Sequence, residues 1–327
     1  MSLRLILIVS LSLNLNYLFA QPIPAEEENI PFLVTFGTDA DPSFGDDDHC
    51  QTFFFSIPED YKKPFYIRIY DPDVGGLHDE LNKTSSSVFN TVTKFSLYGG
   101  SGCISEDDSR NIDPIGNYKS GNLIVSKSYG SGASYDGKWI SLGPFNPAEG
   151  ELSKKYYGYV FKLIAEGVKG DDGNLYKYFL SSNYNKNVPI EGGNSFTFEY
   201  TFRLPDLPKE VSHIYPFVND KVVSVKQSNF DLDYGAVMKL FSSATLAHSL
   251  EVSGDNEFAE SLYYVKDLEK GKSLDIQFIV KKSTVNANNN VVFYITNQYG
   301  ESLPFFSIPI GGVPKYQPNV SITPKSN

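Results

Sequence analysis

The sequence contains little sulfur and little histidine: its 327 residues include two cysteines, two methionines and four histidines. Two cysteines are too few for a disulfide scaffold in a chain of this length. Cys50 and Cys103 can pair in an oxidising compartment, where a bridge closing a loop of about 53 residues adds roughly 3 to 4 kcal/mol. The alternative is two buried free thiols that pack as small hydrophobic groups. The sequence leaves both states open.

Basic side chains are also scarce, with 28 lysines and arginines against 39 acidic residues, a formal charge of −11 and a pI near 4.9. Nucleic-acid binding needs a basic surface that neutralises phosphates, so this class of function is excluded. Electrostatic docking on anionic lipid is excluded for the same reason. This excess of acidic over basic residues suits a soluble exported protein, and it also suits a protein that binds divalent cations.

Long apolar runs are missing apart from one near the start, at Leu5–Leu13. Asn14 and Asn16 follow this run, and the small residue Ala20 comes shortly after them. A basic residue followed by a short apolar core and a small residue is typical of a secretory signal peptide. We expect residues 1–20 to be such a peptide, and the protein to be secreted, extracellular or periplasmic. No other stretch approaches the eighteen apolar residues of a membrane helix, so we predict no membrane span.

Helical periodicity is absent, whereas 22 tyrosines and 24 phenylalanines lie in short runs between Gly, Pro, Asn and Asp. The run at 195–204, SFTFEYTFRL, alternates aromatic and polar residues with period two, as a half-buried strand does. About nine such runs precede residue 205 and about eight follow it. Strands at this spacing indicate an all-β protein built from β-sandwiches.

Two prolines near residue 205 interrupt the strand pattern and predict a linker between two sandwich domains. The first is predicted to be a larger, jelly-roll or C2-like sandwich, and the second a small immunoglobulin-like one. The predicted divisions are signal peptide 1–20, extended leader 21–30, first sandwich 31–204, linker 205–210, second sandwich 211–314 and tail 315–327.

Acidic residues concentrate in the predicted loops of the first sandwich. The candidate ligands are Asp46, Asp47 and Asp48 in one loop, Asp71, Asp73 and Asp79 in the next, and Asp172 in a later one. Loops of a sandwich gather at its two ends, so carboxylates distant in sequence can meet. Calcium takes six to eight oxygen ligands at about 2.3–2.6 Å from such pliable loops. The alternative is that aspartates stand in these loops because they favour turns.

Two other metal sites are disfavoured by spacing. The loop that begins at Asp71 has Asn82, not glutamate, at its twelfth position, and no helices flank it, so it is not an EF-hand. His49 and His78 lie within acidic loops, yet no recognised zinc-ligand spacing occurs.

The stretch GDDDHCQTFFFSIPEDYKKPFYIRIYDPDVGGLHDEL, about 40 residues, resembles secreted bacterial calcium-binding β-sandwich modules of the pre-peptidase and C2-like kind. In these modules an acidic loop precedes an aromatic strand and a D-x-D loop ends the next strand. The resemblance implies that Asp46–Asp48 and the Asp71–Asp79 loop bind Ca²⁺ together. The whole chain resembles exported bacterial proteins without an assigned activity.

The sequence therefore predicts a secreted or surface-associated, non-enzymatic binding or structural protein with calcium in its first domain. Its partner would be an extracellular protein or a glycan, the latter stacking on Trp139 and nearby tyrosines. The alternative is a secreted carbohydrate-active or other hydrolase that uses a pair of carboxylates.

Overall fold

A computed structural model describes residues 22–281 and 289–312; the predicted signal peptide and tail lie outside these residues. The described strands are β1 Pro22–Ile23, β2 Phe32–Phe36, β3 Cys50–Ile57, β4 Phe65–Tyr70, β5 Val92–Gly99, β6 Asn122–Tyr129, β7 Trp139–Phe145, β8 Glu151–Ser153, β9 Gly158–Lys169, β10 Gly173–Ser181, β11 Asn194–Thr197, β12 Glu199–Arg203, β13 Val211–Ile214, β14 Phe217–Val218, β15 Ser224–Phe230, β16 Ala236–Phe241, β17 His248–Leu250, β18 Phe258–Tyr264, β19 Lys272–Ser273, β20 Asp275–Val280, β21 Asn290–Asn297 and β22 Phe305–Phe306. Short 3₁₀ turns cover Glu26–Glu28, Pro42–Phe44, Asp107–Arg110, Pro147–Glu149 and Asp267–Glu269.

The predicted all-β class is confirmed, and its strands form antiparallel sheets. The largest sheet has nine strands, in the order β18-β15-β21-β12-β2-β10-β4-β7 with β1 beside β10. A seven-stranded sheet has the order β22-β11-β3-β9-β5-β6, with β8 beside β9. The other sheets are β13-β20-β16-β17 and the pair β14-β19. The predicted leader contributes the short strand β1 and the first 3₁₀ turn.

The seven- and four-stranded sheets pack on the same face of the nine-stranded sheet. Tyr200 and Phe202 are two residues apart in β12 and therefore point the same way. The Tyr200 ring lies 6.2 Å from Phe53 of the seven-stranded sheet, whereas the Phe202 ring lies 5.3 Å from Phe278 of the four-stranded sheet. One apolar core consequently extends under both small sheets.

The strand predicted at 195–204 is two strands in different sheets. β11 pairs with β3 in the seven-stranded sheet, and β12 pairs with β2 and β21 in the nine-stranded sheet. The change occurs at buried Phe198, which lies outside both strands. The first residue after this corner is Glu199, and its position matters for the acidic site described below.

The sheets continue across the linker predicted at 205–210. Residues 199–203 of β12 pair with residues 290–294 of β21, and β22 adds to the seven-stranded sheet beside β11. The two predicted sandwiches thus share a sheet. The sequence does not indicate this, because the aromatic alternation that identifies a strand carries no information about which strands pair.

Cys50 and Cys103 are buried free thiols. They pack with Tyr98 and Ile164 in one apolar cluster, and the Cys103 thiol lies 3.5 Å from the Tyr98 carbonyl oxygen. Of the two states that the sequence leaves open, the structure has the thiols. Burial raises the pKa of the Cys103 thiol to about 12, which keeps it protonated and unreactive.

Candidate metal centres

Three consecutive aspartates converge just before β3. One carboxylate oxygen from each of Asp46, Asp47 and Asp48 lies within 4.8 Å of the others, so this group can hold a metal ion. Backbone amides fix the geometry: the Phe36 N–H donates to Asp46 Oδ2 at 2.7 Å and the Cys50 N–H to Asp48 Oδ1 at 2.8 Å. The bend is completed by Gly45, whose φ of +84° suits glycine.

Asp113 and Glu199 add their charge to these three aspartates. Glu199 is the first residue of β12, directly after the corner at Phe198, and Asp113 lies on the long loop between β5 and β6; both line a small cavity beside Cys50. We call Asp46, Asp47, Asp48, Asp113 and Glu199 the β3 acidic cluster. Among the described residues, no lysine or arginine forms an ion pair with any of the five.

The β3 acidic cluster disfavours its own ionisation. Burial, followed by the charges of Asp46 and Asp47, raises the pKa of Asp48 well above its ordinary range. Burial and then the charge of Asp48 do the same to Glu199. Burial is the main reason that the pKa of Asp47 rises to about 6, with Asp46 the next contribution. A bound cation would reverse this effect, since it favours the charged forms.

A buried lysine holds the loop that carries Asp113. The Lys162 ammonium group, on β9, donates to the Ser109 hydroxyl at 3.0 Å and to the Ser120 hydroxyl at 3.2 Å, and it also donates to the Tyr118 carbonyl oxygen. Burial lowers the pKa of Lys162 to about 8. These contacts hold Ser109 and the 118–120 segment against β9, and so fix the part of the loop between them, which carries Asp113.

A second site forms where β4 ends. Asp71 is 0% exposed and Asp73 is 4% exposed. One oxygen of each carboxylate accepts a backbone N–H, Asp71 Oδ2 from Gly137 at 3.2 Å and Asp73 Oδ2 from Tyr135 at 3.0 Å. The Oδ1 atoms of both are buried without a hydrogen-bond partner. Two unsatisfied carboxylate oxygens in the interior are costly unless something neutralises them.

Three further polar side chains act on Asp71 and Asp73 or contact the residue between them, although among the described residues no three carboxylates here bring oxygens within 4.8 Å of one another. Asn174, 0% exposed, donates to the Pro72 carbonyl at 3.0 Å, and its own Oδ1 is also buried without a partner. The pKa of Asp71 rises to about 7, chiefly through burial and then through the charges of Asp136 and Asp73. Burial, with the charges of Asp71 and Asp73, raises the pKa of Asp79 to about 8. We call Asp71, Asp73, Asp136 and Asn174 the β4 loop site; Asp79, whose two carboxylate oxygens accept the backbone N–H groups of Gly75 and Leu175, borders it.

Asp172 plays a different part from the one that the sequence suggests. Its two carboxylate oxygens accept the backbone N–H groups of Asn82, at 2.9 Å, and Asn90, at 2.7 Å. Asp172 therefore holds the 82–90 segment in place. Among the described residues, the carboxylate oxygens of Asp46, Asp47 and Asp48 come together without one from Asp71, Asp73, Asp79 or Asp172.

Asp113, Asp136, Asn174 and Glu199 were not among the predicted ligands. Glu199 looks like an outward-facing strand residue in the sequence alternation, and only the corner at Phe198 buries it. Asn174 follows an acidic loop that does signal a site, since amide oxygens are ordinary calcium ligands. The His78 ring lies 5.0 Å from the Phe32 ring, whereas His49 directly follows Asp48 and its Nδ1 is buried without a hydrogen-bond partner.

A groove crosses the outer face of the nine-stranded sheet, and one wall is the loop that contains Asp79. We define the outer-face groove by Phe32, His78, Trp139, Lys177 and Phe179, all of which line it. The Lys177 ammonium lies 4.6 Å above the Phe32 ring. The Trp139 ring meets the Phe179 edge at 6.5 Å. Phe32 and Trp139 are therefore partly exposed in this groove, whereas Phe179 is buried.

No family model matches the chain, and no curated protein is significantly similar to it. Within residues 22–281 and 289–312, no helix has the length and apolar character that crossing a membrane requires.

Proposed function

We propose that this is an exported, non-enzymatic binding or structural protein whose loops bind calcium. The carrying observation is the β4 loop site, where the Oδ1 atoms of Asp71, Asp73 and Asn174 are buried without partners. The β3 acidic cluster supports the proposal with five carboxylates on which no cationic side chain of the described residues is paired.

The chemistry of these donors selects the ion. Carboxylate and amide oxygens on loops are hard ligands with adjustable geometry, as calcium prefers. Zinc is disfavoured because structural zinc sites use thiolate and imidazole donors. Magnesium retains several waters and demands near-octahedral geometry. A calcium ion would offset the repulsion between Asp71 and Asp73 and fix the loop after β4 against the 130–137 segment, which donates to both carboxylates.

Replacing Asp73 with asparagine tests the proposal. We expect Asp73→Asn to bind one calcium ion fewer than the wild type in equilibrium dialysis, because the substitution keeps the shape of the side chain and removes its charge. Asp60→Asn is the matched control, since Asp60 is exposed in the turn after β3. A wild type that binds no calcium at millimolar concentration, or an Asp73→Asn variant with the wild-type number of ions, would contradict the proposal.

A glycan is the ligand that the outer-face groove fits best. Sugar rings present apolar C–H faces to aromatic rings and hydroxyls to charged or amide groups. The groove offers Trp139 and Phe32 for the first and Lys177 and Asn187 for the second. The Arg68 guanidinium lies 5.4 Å from the Trp139 ring and fixes its orientation from the strand beside it.

Two of the acidic residues that line the groove, Asp79 and Glu80, are engaged in its wall. Glu80 is ion-paired with Arg203 and accepts from the Asn290 amide at 2.9 Å. Asp79 accepts the backbone N–H groups of Gly75, at 2.6 Å, and Leu175, at 2.8 Å. Both carboxylates hold the groove wall, whereas a glycosidase needs an acid and a base or nucleophile directed at the scissile bond.

Trp139→Ala is expected to weaken oligosaccharide binding at least about tenfold, equivalent to about 1.4 kcal/mol, because the stacking surface is lost. The measurement is a glycan array with the wild type, followed by calorimetry with the strongest oligosaccharide. Tyr264→Ala removes an exposed ring from β18, at the opposite edge of the same sheet, and serves as the control. Equal binding by the Trp139 variant and the wild type would overturn the assignment of the groove.

A further inference from the structure

A third acidic group lies in the other half of the chain, outside every site discussed above. The loop between β15 and β16 contributes Asp231 and Asp233, and the loop before β18 contributes Asp255. One carboxylate oxygen from each lies within 4.8 Å of the others. We call these three residues the β15 loop site. Asp233 and Asp255 are exposed to solvent, so an ion can reach the site directly.

The buried member of this group has an unsatisfied oxygen. Asp231 is 1% exposed, and its Oδ1 accepts the Asn256 N–H at 2.7 Å. Its Oδ2 is buried without a hydrogen-bond partner. An interior carboxylate oxygen that faces no donor is destabilising, and a cation is the ligand that satisfies it together with two neighbouring carboxylates.

The charge around the β15 loop site is negative. Burial, and then the charges of Asp233, Asp255 and Asp41, raise the pKa of Asp231 to about 7. No ion pair of the described residues includes Asp231, Asp233 or Asp255. The nearby Lys281 ammonium group donates to the Tyr234 carbonyl oxygen at 3.2 Å.

We propose that Asp231, Asp233 and Asp255 form a separate calcium site that joins the loop after β15 to the loop before β18. The site is independent of the β4 loop site and of the β3 acidic cluster, so it does not rest on the function proposed above. Three carboxylates supply up to six oxygens, and water completes the six to eight that calcium takes.

The test counts ions in Asp233→Asn. Because Asp233 is exposed, the variant is expected to fold, and we expect it to bind one calcium ion fewer than the wild type in equilibrium dialysis. Asp220→Asn, another exposed aspartate in the same half, should retain every ion. The comparison is repeated in an Asp73→Asn background, where the loss of one further ion shows that the two sites are distinct.

A second readout reports on this location alone. Tyr234 packs beside Asp255, since a Cβ built on Gly254 would lie 2.9 Å from the Tyr234 ring. Terbium(III), a luminescent substitute for calcium, is excited by tyrosines close to it. Tyr234→Phe should reduce tyrosine-sensitised terbium emission while the number of bound ions stays unchanged. The proposal is overturned if Asp233→Asn binds as many calcium ions as the wild type, or if Tyr234→Phe leaves the emission unaltered.

Discussion

Asp48→Asn is expected to have opposite effects on thermal stability in chelator and in calcium. In chelator the variant should melt about 2 °C higher than the wild type, because a buried amide avoids the cost of either protonating Asp48 or keeping it charged beside Asp46, Asp47 and Glu199, which is worth about 1 kcal/mol. At a free calcium concentration about one hundred times the dissociation constant, the free energy of unfolding of the wild type should rise by about 2.7 kcal/mol, and its melting temperature by roughly 6 °C. The variant should lose most of that gain.

The substitution is chosen so that only the charge changes. An asparagine at position 48 keeps the Oδ1 that accepts the Cys50 N–H, and so preserves the turn into β3. Asp60→Asn makes the same chemical change on the exposed surface and should melt as the wild type does in both solutions. The measurement is differential scanning calorimetry. A wild type with the same midpoint in calcium and in chelator would eliminate the β3 acidic cluster as a calcium site.

Local pattern is the part of this fold that a sequence can specify. The aromatic run at 51–58 predicts β3 at Cys50–Ile57, because aromatic and β-branched residues bounded by turn residues favour a strand whatever its neighbours are. The pairing of β12 with β21 joins residues about 90 positions apart, and nothing in either segment names the other. This is why the sequence suggests two separate sandwiches where the structure has one shared sheet.

In the candidate sites, too, local sequence identifies some residues, whereas contacts with distant segments decide what those residues do. Asp71 and Asp73 are identifiable because a D-x-D loop ends a strand, and the structure adds the buried oxygens that make a cation favourable there. Asp172 also lies in an acidic loop between strands, but its two carboxylate oxygens accept the backbone N–H groups of Asn82 and Asn90. Whether an acidic loop residue binds an ion or caps a turn depends on donors from distant segments, which composition does not reveal.

Gly167→Ala is expected to destabilise the protein by about 3 kcal/mol, because no room exists for a methyl group at that place. A Cβ on Gly167 would lie 1.8 Å from the Phe36 carbonyl oxygen and 2.9 Å from the Gly37 Cα. Both contacts are with backbone, so β9 and the end of β2 would have to separate. The Phe36 N–H is the donor that holds Asp46, so the same displacement should loosen the β3 acidic cluster. Urea unfolding of variant and wild type measures the loss.

Gly132→Ala is the matched control for this change. A Cβ on Gly132 meets no atom within 4 Å, so the free energy of unfolding should change by less than about 0.5 kcal/mol. The expected difference between the two variants isolates the close approach of β9 to β2 from the general effect of replacing glycine. If Gly167→Ala unfolded at the same urea concentration as Gly132→Ala, the contact between these strand ends would not be what fixes Phe36. In that case the calcium affinity of the Gly167 variant should also equal that of the wild type, because Asp46 would still be held by the same amide.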